Sequence, residues 1–198
     1  MKKMQRQILA IFLLTAAAAG NLRASEPSMG PLAEIIQPGP SGNWTVTSGE
    51  QGIQLINRES PGDLRYYFVN EKPDHQSKRT VTVTTQLLET GPEALAGILY
   101  GFQDEPRSYF LFSVGGNGTV NLHYRGENGF EQRMQSSLQG SPEQPVTLKI
   151  VEQGSEVTLF VNDRNIGSLG NDQMGRGSLG IAAADTGIFR FSQFSIGD

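Results

Sequence analysis

From Pro145 to Ile196 the chain alternates apolar and polar residues with a period of two, interrupted by turns that carry glycine. Val146-Thr-Leu-Lys-Ile-Val151 is followed, across Gln153-Gly154-Ser155, by Val157-Thr-Leu-Phe-Val161. Gly177-Ser-Leu-Gly-Ile-Ala-Ala183 is followed, across Asp185-Thr186-Gly187, by Phe189-Arg-Phe-Ser-Gln-Phe-Ser-Ile196. Side chains on a helix share a face every 3.6 residues and those on a strand every two, so this pattern suits strands with one buried face. Each glycine supplies the positive φ that a tight turn needs, and both pairs read as antiparallel hairpins.

The same punctuation extends upstream. Strands are expected at about 44–47, 52–57, 64–69, 80–89, 96–103, 108–114, 119–124 and 130–136, and Gly115-Gly-Asn-Gly118 and Gly126-Glu-Asn-Gly129 mark hairpin turns. Val81-Thr-Val-Thr-Thr-Gln-Leu87 is rich in β-branched residues, which pack well on a pleated sheet. No stretch with a 3.6-residue period occurs beyond the first two dozen residues. The fold class is therefore all-β, a sandwich or barrel of short strands.

Residues 1–24 are expected to form a secretory signal peptide. Lys2, Lys3 and Arg6 precede an apolar run from Ile8 to Gly20, and small residues follow. Cleavage is expected after Ala24, with the Ala17–Gly20 region as the alternative; the former removes four basic residues and no acid, which takes the net charge from −4 to −8. An exported chain this acidic suits neither nucleic acid nor an anionic membrane as partner. It has no cysteine, so disulfides, thiolate metal sites and cysteine nucleophiles are excluded. Residues 25–41, with four prolines, read as a linker or lead-in, and the domain proper is placed at 42–198.

Taken in chain order, the strands resemble a known group. Ser41-Gly-Asn-Trp-Thr-Val46 opens the domain, Ala96-Gly-Ile-Leu-Tyr-Gly-Phe-Gln-Asp104 runs into Ser108-Tyr-Phe-Leu-Phe112, and Leu148-Lys-Ile-Val151, Val157-Thr-Leu-Phe-Val-Asn162, Gly180-Ile-Ala-Ala183 and Phe191-Ser-Gln-Phe-Ser-Ile196 follow. Together they resemble the concanavalin A-like lectin/glucanase superfamily, in its exported bacterial laminin G-like and 3-keto-disaccharide hydrolase-like (DUF1080-type) branch. The resemblance implies a jelly roll, a two-sheet antiparallel β-sandwich whose concave sheet often carries a glycan site. In the keto-disaccharide branch the strand at 96–102 carries an Asn-Ser-Gly-Ile stretch ending in Arg; here the chain reads Leu95-Ala-Gly-Ile98, with Gly101 at the Arg position.

Residue chemistry narrows the functional classes. Glycosidases need two carboxylates at a set separation, and no Glu-x-Asp-x-x-Glu run is present. There is no Gly-x-Ser-x-Gly elbow, and His75 and His123 lack partners at metal-ligand spacing. Asp104, in a loop before Pro106, is the candidate ligand for a calcium ion. Sugars stack on aromatic rings and are held at their rims by amides, carboxylates and guanidinium groups. That chemistry selects Tyr100, Gln103, Arg107, Tyr109, Tyr124 and Arg125 as carbohydrate-binding candidates, with Trp44 as a core plug. The reading is an exported, periplasmic or secreted module that binds glycan or another envelope component without catalysis. Its alternatives are a glycoside-processing enzyme of the keto-disaccharide hydrolase type and a structural envelope protein that binds other proteins.

Overall fold

The computed structural model describes residues 28–70, 78–170, 174 and 177–197. The expected signal peptide and His75 lie outside them. Two antiparallel sheets face one another. The first has eight strands in the spatial order β1 (Gly39–Ser41), β2 (Trp44–Gly49), β3 (Gly52–Asn57), β14 (Gly187–Gly197), β5 (Arg79–Leu88), β10 (Val146–Gln153), β11 (Glu156–Val161) and β12 (Arg164–Gly170). The second has six, ordered β4 (Leu64–Val69), β13 (Ser178–Ala184), β6 (Leu95–Asp104), β7 (Arg107–Gly115), β8 (Thr119–Gly126) and β9 (Gly129–Ser137).

Strict alternation builds the core. Ile53 and Leu55 of β3, Val81, Val83 and Leu87 of β5, Val146, Leu148 and Ile150 of β10, and Phe189 and Phe191 of β14 point inward from the eight-stranded sheet. Ala96 and Ile98 of β6, Phe110 and Phe112 of β7, Val120 and Leu122 of β8, and Leu179 and Ile181 of β13 meet them from the other sheet. Each large apolar side chain buried this way contributes roughly 1.5–3 kcal/mol. Trp44 belongs to this core at 3% exposure, and its indole N–H donates to Asp63 Oδ2 at 3.0 Å.

The outward faces of the two sheets differ. Outward positions on the eight-stranded sheet include Thr82, Thr84, Gln86, Thr147 and Lys149, a hydrated face with Thr84 and Thr147 bonded across strands at 3.0 Å. The outward face of the six-stranded sheet carries a second apolar cluster, in which Leu99, Phe102, Tyr109, Leu111 and Ala182 pack with Leu64, Tyr66, Phe68 and Leu95.

Three features depart from the sequence reading. The strands at 177–183 and 189–196 do not form a hairpin: β13 pairs with β4 and β6, whereas β14 pairs with β3 and β5. The Asp185–Gly187 turn crosses from one sheet to the other, and both strands still bury their apolar side because they face the same core from opposite layers. Asn57 pins the crossing, donating from Nδ2 to the carbonyls of Asp185 (3.0 Å) and Ser60 (2.8 Å). Edge strands β1 and β12 were not expected, since Gly39-Pro-Ser41 and the glycine-rich Arg164–Gly170 lack the apolar alternation of an inner strand. Finally, the sandwich begins before Gly42: Met29, Leu32 and Ile36, around a 3-10 turn at Gly30–Glu34, are buried in the main core.

Candidate functional site

Register across the six-stranded sheet lines up its outward side chains in rows that run perpendicular to the strands. One row reads Tyr66, Ala182, Gly97, Ser113, Asn121 and Gln135, each residue the direct Cα partner of the next. Its middle is a floor of small side chains, with an aromatic ring at one end and amides at the other. The adjacent row reads Phe68, Gly180, Leu99, Leu111, His123 and Gln132. Strands lie about 4.8 Å apart, so a row spans about 24 Å from first strand to last.

Beyond these rows, towards the β6–β7 hairpin, aromatic rings gather. Phe102 lies 4.5 Å from Phe68, 5.1 Å from Tyr66 and 6.0 Å from Tyr109, ring centre to ring centre. Phe130 continues the series at 5.9 Å from Tyr109 and 6.4 Å from His123, both edge-on, and is 51% exposed. The Arg125 guanidinium stacks on the Phe130 ring at 5.3 Å. Burial pushes the Tyr109 hydroxyl up to about 12, and burial also holds the His123 imidazole below its ordinary range.

Among the described residues, two polar atoms on this face have no hydrogen-bond partner, Ser113 Oγ and His123 Nδ1. Ser113 is fully buried, and its hydroxyl belongs to the small-residue row. A buried hydroxyl without a partner is costly to the fold unless a ligand or water completes it.

The sequence candidates divide according to the face they occupy. Tyr109 and Arg125 are direct partners on the outward face, and Arg107, two residues from Tyr109, shares it. Tyr100 does not belong there. It is fully buried between the sheets, its hydroxyl donating to Glu152 Oε2 at 2.7 Å and accepting from Arg79 Nη2 at 3.1 Å. Tyr124 also turns inward, packing against the main core with its ring 4.9 Å from Phe110 and the Arg133 guanidinium 5.3 Å above it. Gln103 is exposed opposite Ser108, on the parity that alternates with Tyr109. Asp104 Oδ1 accepts from Arg107 Nη2 at 3.2 Å, and among the described residues no three acidic or histidine side chains gather as a metal site.

The face also holds residues that sequence reasoning passed over: Ser113, Asn121, His123, Phe102 and Phe130. Stepping back by two from Arg125 reaches His123 and Asn121, and stepping forward by two from Tyr109 reaches Leu111 and Ser113. Phe102 escapes that rule because the β6–β7 register shifts between Tyr100 and Gln103, where Gly101 takes φ 67°.

No protein-family model matches the chain, and no curated protein matches its sequence. Among solved structures the chain is similar to a carbohydrate binding module, CBM66, from Bacillus subtilis, at 12% identity over 81% of this chain and 96% of that one, with a TM-score of 0.64. It is similar to a protein of unknown function with a galectin-like fold from Bacillus subtilis, at 14% identity over 79% and 86% of the two chains, with a TM-score of 0.59. A third likeness is to the GH43 BlXynB protein from Bacillus licheniformis, at 12% identity over 79% of this chain and 35% of that one, with a TM-score of 0.54. At these identities the likenesses establish the architecture: the chain is a jelly-roll β-sandwich of two antiparallel sheets.

Proposed function

We propose that the outward face of the six-stranded sheet binds carbohydrate and that the protein acts as an exported, non-catalytic glycan-binding module. The observation that carries this reading is the border of rings from Tyr66 and Phe68 to the exposed Phe130, beside rows that end in the exposed amides of Gln132 and Gln135. A pyranose has an apolar C–H face and a rim of hydroxyls, so it needs a ring to stack on and polar groups beside that ring. The rows and their aromatic border supply both. Similarity of fold to a carbohydrate binding module supports the reading without establishing the ligand.

Glycoside hydrolysis calls for two carboxylates flanking the bond. At the outward strand positions among the described residues the carboxylate present is Asp104, which is engaged by Arg107. Within the laminin G-like and keto-disaccharide branch, the Arg position is taken by Gly101, whose φ of 67° is one that Arg adopts only with strain. Export follows from the basic and apolar character of residues 1–24 and is checked by determining the N-terminus of the protein recovered outside the cytoplasm.

Calorimetry of the purified protein against a panel of neutral and acidic oligosaccharides tests the reading, with amide chemical shifts recorded alongside. The expected result is saturable binding that moves the resonances of Tyr66, Ser113, Asn121 and His123. Phe130→Ala, which removes the exposed ring at its border, should weaken it. Failure of every saccharide to bind, or binding that leaves this face unmoved, refutes it.

A further inference from the structure

We infer that the saccharide taken by this face is acidic, with its anionic group seated on Arg125. The inference rests on the carbohydrate reading above and names the ligand class within it. The chain as a whole is acidic, with 20 Asp and Glu against 16 Lys and Arg. The outward positions of the six-stranded sheet reverse that balance. Among the described residues they carry two guanidiniums, Arg107 and Arg125, against one carboxylate, Asp104. Asp104 is committed to Arg107 at 3.2 Å. Nearby carboxylates are turned elsewhere: Glu131 pairs with Arg133 at 2.8 Å, and Arg133 lies over the inward-facing Tyr124. Glu105 and Glu127 sit in exposed hairpin tips rather than on the face.

Among the described residues Arg125 thus makes ring contacts and no ion pair. Its guanidinium lies over Phe130, and in register it falls between Tyr109 and Phe130. That cation–π contact leaves the guanidinium N–H donors to an anion, carboxylate or sulfate, which arginine binds by charge-assisted hydrogen bonds. On the same strand, His123 and Asn121 follow at two-residue steps, and the unpartnered His123 Nδ1 and Ser113 Oγ lie beside them. A saccharide laid along the sheet with its acid group at Arg125 brings its neighbouring hydroxyls to the half-buried His123 and the exposed amides of Gln132 and Gln135. A neutral saccharide makes the hydroxyl contacts and leaves the cation without a partner.

Calorimetry with the purified protein tests the inference. Oligomers of galacturonate, glucuronate and mannuronate are each titrated beside the same oligomer with its carboxyl groups reduced to alcohols, and a sulfated galactan oligomer is added as a separate arm. At least one acidic oligomer is expected to bind about tenfold or more tighter than its neutral counterpart, with the advantage shrinking as salt rises. Arg125→Gln should erase that advantage, while Arg125→Lys retains part of it, which separates lost charge from lost folding. Preference for a uronate or for the sulfated oligomer identifies the source of the anion. Equal binding of acidic and neutral oligomers, with Arg125→Gln affecting both alike, overturns the acidic ligand and leaves carbohydrate binding standing. Absence of binding to all of them overturns both.

Discussion

Replacing Glu152 by alanine removes the carboxylate that accepts from Arg79 and Tyr100 between the two sheets. Glu152 and Arg79 are direct cross-strand partners on β10 and β5. Glu152 Oε2 accepts from Arg79 Nη2 at 2.6 Å, from Arg79 Nε at 2.9 Å and from the Tyr100 hydroxyl at 2.7 Å. The side chains of Arg79 and Glu152 are 10% and 13% exposed, so water reaches the pair poorly. Removing one partner of a buried ion pair costs about 3–5 kcal/mol, because the other charge stays buried and uncompensated. The slight exposure here sets the expectation at the lower end, about 3 kcal/mol. For a domain of this size that corresponds to a fall in Tm of about 6–12 °C. Urea unfolding should show the loss as a lower midpoint with an unchanged slope. Arg79 Nη1 lacks a partner among the described residues, so the intact pair is itself incompletely compensated. The triple replacement Arg79→Met, Glu152→Leu and Tyr100→Phe, which exchanges the whole polar bridge for apolar volume, is therefore expected to cost less than Glu152→Ala alone. A Glu152→Ala protein within about 0.5 kcal/mol of the parent, or a triple variant costing more than the single one, would show that burial of this pair is not what makes it costly to break.

Asn57→Ala should lower stability by about 2–3 kcal/mol, since its fully buried amide donates to the carbonyls of Ser60 and Asp185 and accepts from the Ser60 N–H. A midpoint shift below about 0.5 kcal/mol would deny it the role of holding the sheet crossing. Burial holds the folded-state His123 below the ordinary imidazole value of 6.5, so the unfolded chain takes up this proton first. Stability present above that pH is lost as pH falls from it towards the lowered folded value. The Tm of the parent should therefore drop more steeply on acidification than that of His123→Gln, and parallel curves would contradict this. Asp104→Asn releases Arg107, which faces Tyr66 and Tyr109, and should strengthen binding of an acidic oligosaccharide about two- to fivefold without changing a neutral one.

Strand content and the inner half of each strand were legible because burial alone dictates a period of two. Val81, Val83, Leu87, Leu148 and Ile150 are core wherever their strands lie in the sandwich. Hairpins were legible where the turn is short: β7–β8, β8–β9 and β10–β11 pair as Gly115–Gly118, Gly126–Gly129 and Gly154 suggest. Layer assignment was not. The Asp185–Gly187 turn has the composition of a hairpin, yet it joins strands in different sheets. A short glycine turn serves either geometry, and the choice is made by distant partners: β4 and β6 for β13, β3 and β5 for β14. Asn57, which holds the crossing, lies 128 residues from Asp185, too far for any local pattern to connect them.

The site was half legible for a related reason. Tyr100, Tyr109 and Tyr124 are alike as sequence, each a tyrosine in an apolar strand, and chemistry alone ranks them equally as stacking platforms. Parity separates them. Once Phe110 and Phe112 are known to point inward, Tyr109 must point outward, and its partner Arg125 with it; Tyr124, adjacent to Arg125, must then turn in. Counting by two would extend this to β6 if that strand were regular. It is interrupted at Gly101, so Phe102 shares the outward face with Leu99, three residues away, while Tyr100 turns inward to Glu152. A single irregular residue thus decides which of two neighbouring aromatics lines the candidate binding face and which ties the sheets together. The same irregularity carries both results because moving the bulge by one residue would exchange Phe102 for its neighbour, breaking the aromatic border and the polar bridge together.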